Sequence, residues 1–212
     1  MQPSAYPHAP ASVRLVQTHI SYVWIADDLV YKAKKPVDFG FINQVDAKTR
    51  EAFCHLEVEL NRRLAPDVYL EVVPILQRAD GTFATDCATR EGDTVVEWAV
   101  KMRRLPDDRS LDELLAADAV PADLPARLTR KLAAFHAAAR RVEYDPAFAG
   151  IDGERAWWAR EYREAEGNIG STGLDSADDG KTWLAADAAT LREFVARMLD
   201  EQADLFNERL AA

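Results

Sequence analysis

The sequence predicts an α+β fold in which a small sheet with one helix precedes a run of helices. Three observations carry this prediction. The stretches with the two-residue apolar alternation of a strand all lie before residue 105. One amphipathic helix, opening after Asp46, interrupts them. From Ser110 onward the apolar rhythm is helical, so strands and helices are segregated along the chain. At 212 residues, 48% apolar and 29% charged, the chain has the composition of one that buries a sizeable core, and it shows no internal repeat.

Residues 1–12, with Pro3, Pro7 and Pro10, read as a flexible leader. Strand-like pieces follow at Val13 to Val16, Tyr22 to Ile25 and Leu29 to Lys34. The turn Ala26-Asp27-Asp28 makes the last two a hairpin. Pro36 stops the third strand, because it has no N–H to give the ladder. Asp46 is placed to cap a helix running to about Leu64, on which Phe53, Leu56, Leu60 and Leu64 form the apolar stripe. Ala65-Pro66-Asp67 ends that helix. A β segment from Val68 to Leu76 and a turn at Ala79-Asp80-Gly81 come next. A strand from Val95 to Met102 follows, with Val96, Trp98, Val100 and Met102 expected on one core-facing side.

Beyond Leu105-Pro106, Ser110 and Glu113 have the spacing of a capping box. Pro121 is expected to open a helix whose stripe is Leu124, Leu128, Leu132, Phe135 and Ala139. A third helix carries Trp157 and Trp158, expected to pack in a core or meet a partner. Gly167 to Lys181 reads as a Gly/Ser/Asp-rich loop. The last helix, from about Asp187, gathers Leu191, Phe194, Val195, Met198, Leu205 and Phe206 on one face. The expected organisation is a leader (1–12), a sheet-bearing part (13–105) and a helical part (106–212).

The formal net charge of −10 argues against a broad nucleic-acid footprint, which needs a basic face. Two cysteines, Cys54 and Cys87, without a CxxC pair or His/Cys ligand spacing, give no support for a disulfide scaffold or structural zinc. No apolar run is long enough to span a membrane, and the N-terminus lacks a signal-peptide core, so the cytoplasm is the expected location.

On the third strand Val30, Lys32 and Lys34 point one way, and Leu29, Tyr31 and Ala33 the other. A small apolar residue followed on the same face by a lysine suits ATP: the first covers the adenine, and the ammonium meets the α/β-phosphates. Such a lysine needs an acid to fix it. Glu57 lies at the edge of the helix's apolar face with Asn61 one turn on, whereas Glu59 falls on the solvated side with Arg62. The same residues are also compatible with an ordinary surface ion pair, worth about 0–1 kcal/mol.

Five segments occur in order: Thr18-His19-Ile20-Ser21, Val30-Tyr31-Lys32-Ala33-Lys34-Lys35-Pro36, Phe39-Gly40-Phe41, Glu57-Val-Glu-Leu-Asn-Arg-Arg-Leu-Ala-Pro66 and Trp98-Ala-Val-Lys-Met-Arg-Arg-Leu-Pro106. Together they resemble the small lobe of an aminoglycoside-phosphotransferase-like family of bacterial proteins, often fused to a P-loop kinase domain. Leu132-Ala-Ala-Phe-His-Ala137 resembles the first long helix of that family's large lobe. The resemblance implies a protein-kinase-like, two-lobed fold with an intact small lobe and the leading helices of the large one. It implies that Lys32, or alternatively Lys34, binds nucleotide phosphate, with Glu57 as the helix partner. Thr18 to Ser21 would turn over the phosphates, although without a glycine. Lys101, Met102 and Arg103 would form the hinge and hold adenine through backbone groups. The implied cofactors are ATP and magnesium, and the implied reaction moves the γ-phosphoryl to a hydroxyl of a small-molecule acceptor.

That family places its aspartate base and metal ligands in a His-Gly-Asp loop and a later strand. None of His8, His19, His55 and His136 begins a His-x-Asp triplet, so no catalytic residue or metal ligand is expected in this stretch of sequence. His136 reads as a core or boundary histidine rather than a base. Gly180-Lys181-Thr182 imitates a Walker A ending, but Asp175 stands where glycine is required and Asp178-Asp179 would repel phosphate. Three expectations follow: part of an active phosphotransferase, a non-catalytic nucleotide-binding protein, or an interaction module that retains the fold. The apolar face of the last helix is the surface expected to support self-association.

Overall fold

The computed structural model describes residues 1–140, 150–171 and 179–211. The chain forms two compact units, Met1–Ala139 and Arg140–Ala212. The division thus falls past Leu105-Pro106, and two helices belong with the sheet.

The first unit is built on a curled, fully antiparallel sheet of six strands: β1 (Val13–Gln17), β2 (Ser21–Ala26), β3 (Leu29–Lys34), β4 (Tyr69–Gln77), β5 (Phe83–Thr85) and β6 (Thr94–Arg103). Their order is β1-β2-β3-β6-β4-β5. Strands β2 and β3 pair from Ser21↔Lys34 to Ala26↔Leu29, and the two-residue turn between them has Asp27 at φ 53°. Aspartate is among the few residues that accept that left-handed position. The short β5 was not anticipated, since three residues are too few to show alternation.

The helix α1 (Ala47–Arg62) begins as its sequence predicts, with the Asp46 carboxylate accepting from the Thr49 N–H at 2.9 Å. Its rotation differs from the expected stripe. Arg50, Cys54 and Val58 face the sheet, while Leu56 and Leu60 are 45% and 41% exposed. The reason is Arg50. Its guanidinium donates to Glu97 Oε2 (2.7 Å) and to the carbonyls of Gln44 (3.0 Å) and Val45 (2.6 Å), which turns the 50–54–58 line inward.

The sheet is packed on both faces. On one, Cys54, Val58 and Val100 are buried with Tyr69, Val72, Trp98 and Met102 around them. Val96 departs from that face: Ile75 pairs with Glu97 and Leu76 with Val95, leaving Val96 as the extra residue of a bulge, 39% exposed. On the other face Tyr31, Ala33, Val73, Ile75 and Ala99 bury Ala5 and Tyr6. The first twelve residues are therefore not loose. Tyr6 is 3% exposed with its ring 4.9 Å from that of Tyr31, and the Ala11 N–H donates to Asp27 Oδ2 at 2.7 Å.

Two helices complete this unit, α2 (Leu111–Ala116) and α3 (Leu124–Ala137). Ser110 occupies the N-cap of α2 but makes no capping bond; its hydroxyl engages Asp112, lowering that carboxyl's pKa. The capping box is thus not formed. Helix α3 starts at Leu124 rather than at Pro121, Leu128 and Leu132 of its stripe are exposed, and so is His136.

The second unit consists of α4 (Gly150–Ser171), α5 (Asp179–Glu201) and α6 (Ala203–Ala211). Ile151, Val195 and Leu199 are its buried centre, with Trp158, Tyr162, Met198 and Phe206 against them. Trp158 is in the core and Trp157 is 43% exposed. The helix expected from about Asp187 is divided, with Gln202 between α5 and α6. Of its stripe, Val195 and Met198 pack inward, whereas Leu191, Phe194 and Leu205 are exposed. Gly167–Ser171 continue α4, and Asp179–Lys181 open α5 instead of forming a loop; residues 172–178 lie outside those described. Among the described residues no helix is long and apolar enough to cross a membrane.

Candidate functional site

The alternation along β3 places Val30, Lys32 and Lys34 on the α1 side of the sheet, and the register of α1 brings one carboxylate to both lysines. Lys32 Nζ donates to Glu57 Oε1 at 2.8 Å, and Lys34 Nζ donates to Glu57 Oε2 at 2.7 Å. The side chains are 29% (Lys32), 10% (Lys34) and 13% (Glu57) exposed, so this is a largely desolvated trio rather than a surface pair. Burial pushes the Glu57 carboxyl up, but the hydrogen bonds and charges of the two lysines outweigh it, and the pKa lies below the ordinary glutamate value. Asn61 Nδ2 donates to the Glu57 carbonyl (2.8 Å), a contact within the helix.

Beside the trio, on the same face, is a cavity of about 330 Å³ lined by Val23, Ile25, Val30, Met102 and Leu105 among others. Val23 lies directly opposite Lys32 in the β2–β3 register and Met102 opposite Val30. Lys32 does not itself line the cavity but is the nearer of the two lysines to it, two residues along the face from Val30. Cys54, wholly buried on this side, has its thiol pushed up to about 11, mainly by burial.

The proposed hinge residues are arranged differently from expectation. Lys101, Met102 and Arg103 lie inside the sheet, paired with β3 through Tyr31↔Lys101, Val30↔Met102 and Leu29↔Arg103 and flanked on the other edge by β4. The Arg103 N–H already donates to the Val68 carbonyl (2.8 Å). Their backbone groups are committed to the ladder, and the Arg104 N–H donates to Asp28 O (2.8 Å). The side chains of Met102 and Arg103 do line the cavity. That of Lys101 points to the opposite face, where it meets Asp86 (2.7 Å) and Glu71 (3.0 Å). Burial would depress the Lys101 pKa, but these two acids raise it above the usual lysine value.

The turn before β2 spends its polar groups internally. The Thr18 N–H donates to Ser21 O (2.9 Å) and the Ser21 N–H to Thr18 Oγ1 (3.0 Å). Gln44 Nε2 donates to the Ile20 carbonyl (2.8 Å) and Lys35 Nζ to that of Thr18 (2.7 Å), fixing the turn from two sides. Ser21 is 1% exposed with its hydroxyl buried and unpartnered among the described residues. The Ser21 side chain is therefore not presented outward, whereas Thr18 is exposed with its hydroxyl taken up by the turn.

Sequence reasoning missed the cluster behind β3. Tyr31, fully buried, donates its hydroxyl to Asp86 Oδ2 (2.9 Å), which also receives Lys101. Burial first, then Asp86, drives the Tyr31 pKa strongly upward, so this phenol stays protonated. Asp86 sits in a stretch without periodicity, at φ 55°, and nothing local marks it. Among the described residues no group of three or more His, Cys, Asp or Glu side chains is placed to hold a metal ion.

A helix-borne acid bridging two lysines of a central strand, in an α+β chain, is the class of site that the fold defines. No family model matches the sequence, and no solved structure matches it. Uncharacterized proteins of Mycobacterium tuberculosis (strains H37Rv and CDC 1551) and of Mycobacterium bovis are similar to it, 32% identical over 125 residues. The match covers 59% of this chain and 22% of each relative, so the chain spans about a fifth of the length of the curated proteins it resembles.

Proposed function

We propose that the α1-facing side of the sheet binds a nucleotide, as the ATP-grasping portion of a protein-kinase-like phosphotransferase of the aminoglycoside-phosphotransferase-like kind. One observation carries the reading: Lys32, held by Glu57 at 2.8 Å, lies opposite Val23 and one strand repeat from Val30, both of which line a cavity of about 330 Å³. That volume is within the range of small-molecule sites, and the wall is mainly apolar, as a purine requires. Lys32 supplies the positive charge for the α/β-phosphates; Val23, Ile25, Val30 and Met102 cover the base. In the complete protein the γ-phosphoryl would pass to a hydroxyl of a small-molecule acceptor, a step assigned to none of the described residues.

Isothermal titration of ATP and ADP, with and without magnesium, tests this. The expected result is saturable binding that Lys32→Met reduces at least tenfold while the protein remains folded. Absence of binding under both conditions refutes it. The second reading, an interaction module that retains the fold, is favoured by the exposed apolar row of Leu56 and Leu60 on α1. It is the reading left standing by a negative titration.

A further inference from the structure

The trio contains one lysine more than a phosphate grip needs, and its geometry points to a division of labour that rests on the nucleotide reading above. We propose that Lys34 is the standing counter-ion of Glu57, a positioning residue that frees Lys32 to meet the phosphates.

Each lysine takes its own oxygen of Glu57, so neither displaces the other. Their surroundings differ. Lys34 is 10% exposed and lies opposite Ser21, itself 1% exposed, one strand repeat beyond Lys32 and about 7 Å further from Val30. Lys32 is 29% exposed and lies opposite Val23, which lines the cavity. The nearer and wetter ammonium is the one able to swing toward a ligand.

With a single lysine, that swing would strand a carboxylate that is only 13% exposed, and an unpaired buried charge is costly. The incoming phosphate would also face that bare acid. With Lys34 in place Glu57 keeps a partner throughout. Two ammonium groups against one carboxylate also leave a surplus positive charge on this face for the ligand.

The test is isothermal titration of ADP into the full chain and its variants, each checked for folding by circular dichroism. Lys34→Met is expected to weaken ADP about tenfold, the scale of coupling within one ion-pair network. Lys34→Arg should retain affinity. The double variant Lys34→Met/Glu57→Gln should recover most of what Lys34→Met loses, because no carboxylate remains to hold Lys32 or repel phosphate. A Lys34→Met protein that binds like the wild type overturns the assignment. So does a double variant as weak as Lys34→Met, since that would mean Lys34 itself touches phosphate. No ADP binding by the wild type overturns the nucleotide reading itself, and with it this assignment. A measurement independent of variant stability is the ¹³Cε signal of each lysine in the wild-type chain on adding ADP: Lys32 should shift and Lys34 should not. The converse overturns the proposal.

Discussion

Replacing Glu57 by glutamine keeps its shape and removes the charge that holds two ammonium groups. Both hydrogen bonds, at 2.8 and 2.7 Å, are charge-assisted in the native protein. Such bonds contribute about 1.5–3 kcal/mol each to a charged partner. The Lys32 bond is discounted heavily, because that side chain is 29% exposed and rehydrates. The Lys34 bond counts nearly in full, since its side chain is 10% exposed. In addition, the new amide N–H₂ faces an ammonium it cannot accept from. The expected loss is about 2 kcal/mol at pH 7. The two compact units complicate a single unfolding curve. Native-state hydrogen exchange on the amides of β3 and α1 therefore gives the clearer reading.

The pH dependence supplies a second check. The folded-state pKa of Glu57 lies below its unfolded value, so the unfolded chain binds protons first on acidification. The stabilisation is full above the unfolded value, near 4.5, and is lost as pH falls through the folded one. Protonated wild type then resembles the glutamine variant, and the gap between them should close with acid. A Glu57→Gln protein as stable as wild type at pH 7, or a gap constant down to pH 3, would refute the reasoning.

Two other outcomes can be measured. Arg50→Met should destabilise the first unit by about 3 kcal/mol in urea, because it strands Glu97 and two backbone carbonyls; Leu56→Ser, on the exposed side of the same helix, should stay within about 0.5 kcal/mol. Equal costs would mean the rotation of α1 is wrong. Timed labelling of the native protein with a maleimide should modify Cys87 and leave Cys54 intact, since Cys54 is fully buried with a thiol pushed up to about 11. Labelling of Cys54 at a comparable rate would show that the packing under α1 opens readily.

The bonds between Glu57 and the lysines were legible because two simple periods intersect there: alternation along β3, and the turn of a helix whose start Asp46 announces. The rotation of α1 was not. Counting apolar residues favours Leu56 and Leu60, and only the tertiary bonds of Arg50 to Glu97, 47 residues away, reverse that choice. The same limit explains Val96, whose face is set by a bulge against β4, and Tyr6, whose place depends on Tyr31. The setting of Lys101, Met102 and Arg103 was not legible either: β6 is inserted between β3 and β4, and no local pattern reveals a sheet order.

That insertion also dictates an order of assembly. Of the six strands, the last to leave the ribosome is the one that joins the meander β1-β2-β3 to the hairpin β4-β5. Until Thr94–Arg103 is synthesised, β3 and β4 each present an open edge, and Tyr6 waits for a floor that includes Ala99. Sheet closure thus waits for β6 and depends on pairings distant in sequence, the slow kind. A nascent chain halted short of residue 94 carries both lysines and Glu57 but not the strand that holds their two halves together.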